Sequence, residues 1–170
     1  PIEYTELPKG LVDALIATED ERFYGHTGID FKATLRAIIF LNKRGGASTI
    51  SQQLARQLFV GVRSKNIYEA ITQKAKEWVL AVRLEKQYTK EEIITMYLNI
   101  YDFGYNGDGI KSASNIYFDK EPTDLKIEES AMLVGMLKNS SLYNPMRRPE
   151  LVKVRRNVVF GQMRKNNYLN

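Results

Sequence analysis

Residues 11–31 read LVDALIATEDERFYGHTGIDF, and the fold of the whole chain turns on how this stretch is taken. Leu11, Val12, Leu15 and Ile16 recur at helical spacing, which predicts a helix over residues 8–23 with Pro8 in its opening turn. The same stripe, continued by three or four residues, lands on Glu19 and Phe23. A carboxylate therefore falls where an apolar side chain belongs, at the end of a helix. Burial disfavours the charged carboxylate and raises its pKa, which is the state a general acid or base needs near neutral pH. The plainer alternative is a glutamate at a frayed helix end, solvated or paired with Arg22. Gly25, His26 and Gly28 follow as a turn.

Outward from there, helical signals dominate and strand signals are few. Asp30 suits the N-cap of a helix from Phe31 to about Asn42, carrying Phe31, Leu35, Ile38, Ile39 and Leu41 with Lys32, Arg36, Lys43 and Arg44 around them. Periodicity alone assigns that apolar face to the core; a lipid interface is the second reading. Gly45-Gly46-Ala47-Ser48-Thr49 then leads into a helix in which Thr49 and Gln52 fit a capping box and Ile50, Leu54 and Leu58 form the stripe. A glycine-fed helix start also suits an anion, with Gln53 and Arg56 on the same helix. A long helix is expected from about Ile67 to Tyr88, with Ile67, Ile71, Trp78 and Val82 in its core stripe. Lys74 and Glu77 sit three apart on an adjacent face, either as a surface ion pair or as a pair presented to a cleft. Thr89 and Glu92 open the next helix as a second capping box. Residues 101–109 read as a glycine loop, then come a short helix near 110–117 and an apolar one over 125–138. The spacing of Asp102 and Asp108 fits no EF-hand. A basic helix from Glu150, bearing Lys153, Arg155, Arg156, Arg164 and Lys165, closes the chain with its cations on an outer face.

Composition narrows the function classes. The 170 residues suit one domain, 44% hydrophobic and 26% charged, as in an ordinary globular protein. No cysteine and one histidine exclude thiolate metal sites and histidine-rich zinc sites. A net charge of +5 predicts an anionic partner. The basic helix lacks interleaved aromatics, which argues against nucleic acid. No apolar run is long enough to span a bilayer. The abrupt start at Pro1-Ile2-Glu3-Tyr4 has the look of a domain excised from a longer protein.

Several segments together resemble one family, the peptidoglycan glycosyltransferases (glycosyltransferase family 51). It includes the transglycosylase domains of class A penicillin-binding proteins and the monofunctional transglycosylases. Glu19-Asp20-x-x-Phe23-x-x-His26-x-Gly28 resembles the family's first motif, and Gly46-Ala47-Ser48-Thr49-Ile50-x-Gln52-Gln53-Leu54 its second. Lys74-x-x-Glu77 is similar to the core of the third and Ile94-x-x-Tyr97-Leu98-Asn99 to the fourth. Gly109-Ile110-x-x-Ala113, Tyr117-Phe118, Tyr143-Asn144-Pro145 and Arg155-Arg156-Asn157 also fit. Each motif is weak; four in order are specific. Two departures stand out: Gln73 replaces an arginine often found before Lys74, and Arg56 stands where lysine is common.

The resemblance implies a mainly α fold, a lysozyme-like large lobe with a smaller membrane-facing jaw lobe over roughly 31–66, all within a single domain over 1–170. It favours the lipid-interface reading of Phe31–Leu41. It implies polymerisation of lipid II into a β-1,4 glycan strand with inversion and release of polyprenyl diphosphate. Glu19 would be the base and Glu77 a second catalytic carboxylate positioning Lys74, a metal or the diphosphate. Asp20, Phe23, His26, Ser48, Thr49, Gln52, Gln53, Arg56 and Lys74 would line the substrate site, helped by Arg63, with His26 in a supporting place. A divalent cation (magnesium or manganese) is allowed but not required. The implied partners are lipid II, the growing glycan, a membrane surface, moenomycin-type inhibitors and other cell-wall synthesis proteins. The implied location is the outer face of a bacterial cytoplasmic membrane, reached through a transmembrane anchor outside this chain. Rival readings are a lysozyme-like hydrolase or lytic transglycosylase, and a non-catalytic basic module that docks on membranes.

Overall fold

A computed structural model describes residues 1–39 and 48–169, the Ile38 side chain excepted. The described chain is mainly helical, and its extended pairing is limited to an isolated antiparallel bridge between Asp102 and Asp108. It divides into two compact units, one of residues 1–21 and 98–170, the other of residues 22–97.

In the first unit α1 (Lys9–Glu19) packs against α7 (Ile127–Met136) and α8 (Pro149–Lys165). Leu11, Leu15, Leu133, Val134, Val159 and Met163 are buried among them, each large side chain contributing about 1.5–3 kcal/mol by leaving water. The helix stops earlier than its stripe suggests, at Glu19. Asp20 leaves helical geometry with φ −158°. The apolar stripe is thus interrupted before Phe23, which belongs to a separate 3-10 turn, Phe23–Gly25. Residues 101–108 make a tight turn in which Asp102 Oδ1 accepts from the Gly104 N–H at 2.7 Å, before α6 (Gly109–Phe118). The Asn99 side chain holds the Ile2 backbone in both directions, accepting from its N–H at 3.0 Å and donating to its carbonyl at 2.9 Å. Gly109 has φ +79°, and a Cβ there would lie 2.4 Å from the Asn99 carbonyl oxygen.

In the second unit α3 (Ile50–Ala55) lies on α4 (Ile67–Gln87). Asp30 caps α2 (Phe31–Ile39) by accepting from the Ala33 N–H at 2.9 Å. Burial pushes the Asp30 carboxyl up, but that bond and the Arg22 guanidinium outweigh it and hold the group below the usual carboxylate value. Thr89 and Glu92 complete both halves of the box that opens α5 (Lys90–Ile100).

Two apolar stripes are not core. Phe31, Leu35 and Ile39 are exposed, Phe31 at 72%; Leu41 and the rest of the expected helix lie outside the described residues. Ile67 and Ile71 are also exposed, at 66% and 61%. Only from Glu77 onward does α4 bury its inner face, through Ala81 and Leu84. Among the described residues no helix is long and apolar enough to cross a membrane.

Candidate active site

Of the site residues that the sequence singles out, Glu19 and Asp20 lie in the first unit and the others in the second. In the first unit Glu19 ends α1, directly after the buried Leu15, Ile16 and Ala17, and its own side chain is 15% exposed. Arg155 of α8 faces it, with Nη2 3.8 Å from Glu19 Oε1. Gly135 makes room for that arginine: a Cβ there would lie 3.1 Å from Arg155 Cγ, and the Gly135 carbonyl accepts from Arg155 Nε at 3.3 Å. The guanidinium also sits 5.7 Å from the Tyr143 ring centre. The sequence pattern puts Arg155 on an outer cationic face. Instead its side chain is 11% exposed and turned toward the candidate base. Asp20, the neighbouring candidate, is buried at the helix end.

The second unit gathers Ser48, Thr49, Gln52, Gln53, Arg63, Lys74 and Glu77. Thr49 accepts from the Gln52 N–H at 3.1 Å and donates to the Gly28 carbonyl at 2.7 Å, so α3 starts against the first-motif loop. Gly28 itself has φ +87°, and a Cβ there would meet the α4 backbone at Ala81 and Val82 within 3 Å. Only glycine fits that approach. The three polar residues at the start of α3 each have a different partner. Ser51 donates to Glu85. Gln52 Oε1 accepts from Lys74 Nζ at 3.2 Å, and Gln53 Oε1 accepts from the buried Tyr97 hydroxyl at 2.9 Å.

Lys74 is the hub. Its ammonium donates to Ser48 Oγ at 2.9 Å, Gln52 Oε1 and Glu77 Oε2 at 2.8 Å. Glu77 is 2% exposed, and Arg63 Nη2 approaches its other oxygen at 3.4 Å. The pair therefore joins a buried carboxylate to part-exposed cations and differs from a fully exposed surface ion pair. Burial pulls the Lys74 pKa below its usual value; the Glu77 bond opposes that fall, while Arg63 and Arg56 reinforce it. The Gln52 Nε2 is buried without a hydrogen-bond partner, a donor held ready beside them. Arg56 opens a π-helical turn, Arg56–Val60, that ends at Gly61 with φ +77°. Such turns are frequent at functional sites. Phe23 is fully buried and His26 packs edge-on against it.

A transglycosylase family model matches residues 1–164. The chain belongs to the transglycosylase family. Penicillin-binding protein 1F of Bacillus subtilis strain 168 is 39% identical over 173 residues, which is 99% of this chain and 24% of that protein. Penicillin-binding protein 2a of Streptococcus pneumoniae serotype 2 is 40% identical over 162 residues, 95% of this chain and 22% of the relative. Penicillin-binding protein 1A of Escherichia coli K12 is 38% identical over 173 residues, 99% of this chain and 20% of the relative. The chain thus spans about a quarter of these proteins or less. Membership makes it a glycosyltransferase domain of the peptidoglycan-building kind.

Glu77 was also a candidate metal ligand. Both of its oxygens already face cations, and among the described residues no three histidine or acidic side chains cluster as a metal site would need.

Proposed function

We propose that this transglycosylase domain polymerises lipid II, with Glu19 as the base and the Lys74 cluster as the cradle of the departing diphosphate. The observation that carries the reading is the convergence of Lys74 Nζ on Ser48, Gln52 and Glu77, with Arg63 Nη2 3.4 Å from Glu77 Oε1, beside the unpartnered Gln52 Nε2. A polyprenyl diphosphate is already a good leaving group. The protein's task is to neutralise the charge that develops on it, which preorganised donors do best.

In the reaction the acceptor's 4-hydroxyl oxygen attacks the donor's anomeric carbon from the face opposite the diphosphate. The new C–O bond forms, the old one breaks with its electron pair leaving on the diphosphate, and the hydroxyl proton passes to Glu19. Arg155 faces the base, with Nη2 3.8 Å from Glu19 Oε1. Glu77 keeps Lys74 aimed and is not itself a proton carrier, because both its oxygens are engaged by cations.

The exposed Phe31, Leu35 and Ile39, with Lys32 and Arg36 on the same helix, support a lipid-facing role for α2 on the outer leaflet side of a bacterial cytoplasmic membrane. A hydrolase acting on uncharged glycosidic bonds would have no use for the cationic cluster.

The test is polymerisation of fluorescent lipid II. Wild type elongates glycan; Glu19→Gln binds lipid II, as a moenomycin-type competitor shows, but does not elongate it. Glu19→Gln turning over at the wild-type rate would remove Glu19 from the role of base. Cleavage of finished glycan without polymerisation would favour the hydrolase.

A further inference from the structure

Glu85, in the C-terminal half of α4, is 3% exposed and belongs to no part of the mechanism above. Three groups converge on it. The Ser51 hydroxyl donates to Oε1, Lys90 Nζ lies 2.7 Å from Oε2, and His26 Nδ1 stands 3.8 Å from Oε1. Lys90 reaches further: its ammonium also donates to the His26 carbonyl at 2.8 Å and sits 4.2 Å from the centre of the Phe23 ring. One carboxylate and one ammonium thus join the first-motif turn, the start of α5 and α3, the helix that carries Gln52 and Gln53.

A buried ion pair is a poor way to gain stability, since desolvation cancels most of the attraction and an apolar pair of the same volume does as well. What it supplies is direction. Each oxygen of Glu85 and each proton of Lys90 has one place to point, and those places fix two segments that carry substrate-binding candidates. Apolar filling would hold the segments together without fixing their register.

We propose that Glu85 and Lys90 are positioning residues that lock the 23–28 turn and α3 in register, and so aim Gln52, Gln53 and Arg56 at the donor diphosphate. The inference rests on the donor-site reading given above. Lys90 serves the turn through the His26 carbonyl, and Glu85 serves α3 through Ser51.

The test compares Glu85→Gln/Lys90→Met, which removes both charges at near-constant volume, with Ser51→Ala, Lys90→Arg and wild type. The double variant should melt within about 4 °C of wild type, the shift of roughly one kcal/mol in a chain of this size. Its kcat/KM on lipid II should nonetheless fall at least tenfold, mostly through a higher KM, while Lys90→Arg keeps most activity. Amide hydrogen exchange gives a second readout that needs no turnover. The double variant, whose amide oxygen can still accept from Ser51, should exchange faster in residues 23–28 and unchanged in α7 and α8; Ser51→Ala should loosen 50–55 alone. A double variant as active as wild type overturns the proposal, as does activity that tracks melting temperature across the set. Unchanged exchange in both segments overturns it even if wild type proves inactive on lipid II, an outcome that would separately remove the donor-site reading.

Discussion

Replacing Lys74 by methionine separates stability from catalysis more cleanly than any other change in the donor cluster. The substitution takes the 2.8 Å partner from Glu77 and leaves it with Arg63 at 3.4 Å. Stripping one member from a fully buried pair costs about 3–5 kcal/mol. Here the lysine side chain is 30% exposed and the arginine half exposed, and a partner remains, so screening reduces the cost to about 1–2 kcal/mol. For a chain of this length that is a fall of about 2–8 °C in Tm. Adding Glu77→Gln removes the orphaned charge as well. Because the net effect of the fold on Lys74 is to disfavour its charged form, the neutral Met–Gln pair should melt within about 1 kcal/mol of wild type. Both variants should lose about 10²–10³-fold in kcat, the usual loss for one preorganised donor to a developing anion. Thermal melts of the four proteins of the cycle, with lipid II turnover measured on each, decide it. A Lys74→Met protein as stable as wild type would show that Glu77 does not depend on Lys74. A double variant less stable than the single one would refute the account of the pair as a desolvated charge held for function.

Binding of inorganic diphosphate should take up a proton on the alkaline side, because the ligand restores the lysine charge that burial and the neighbouring arginines disfavour. Affinity then weakens as pH rises through the lowered Lys74 pKa, and calorimetry in two buffers of different ionisation enthalpy measures the uptake, which Lys74→Met abolishes. Asp30, held below its usual value, contributes stability that is full above the ordinary carboxylate pKa and is lost as pH falls through its folded one. Acid titration of Asp30→Ala should show a shallower acid limb and, at neutral pH, the loss of about 1 kcal/mol expected for an N-cap. Gly109→Ala places a Cβ 2.4 Å from the Asn99 carbonyl at a φ of +79°, so it should cost at least about 1–3 kcal/mol and free the Ile2 segment, read as faster amide exchange at residues 2–7.

What the sequence made legible was local chemistry. The Asp30 cap, the Thr89–Glu92 box and the Gly28 turn are written within a few residues of themselves, and each forms as read. Glu19 at the end of an apolar stripe and Lys74 with Glu77 were legible for the same reason, as local patterns that break a rule. Periodicity, by contrast, marks an apolar face without saying what covers it. That is why Phe31, Leu35 and Ile39, and again Ile67 and Ile71, read as core and stand exposed. Nor can spacing reveal partners far apart in the chain. Arg155 meets Glu19 and Ser51 meets Glu85 only through tertiary packing, so Arg155 read as a surface cation and Glu85 carried no signal.

The conduct of α3 ties these observations together. A helix of residues 50–55 is too short to be stable on propensity, since nucleation costs more than so few bonds return. Three of its residues, Ser51-Gln52-Gln53, are polar where a core helix should be apolar, and two of them are buried. The segment therefore holds its place through what its side chains bind. Ile50 and Leu54 anchor one face in the core, while Glu85, Lys74 and Tyr97 take the polar residues one by one. Each of those partners comes from a different turn of α4 or from α5, so none can shift without disturbing the direction of one glutamine or the serine. Removing one tether should therefore damage substrate alignment before it damages the fold. On the proposed function the leaving group is a large, flexible diphosphate that supplies no rigidity of its own, which is a reason to fix its donors this way.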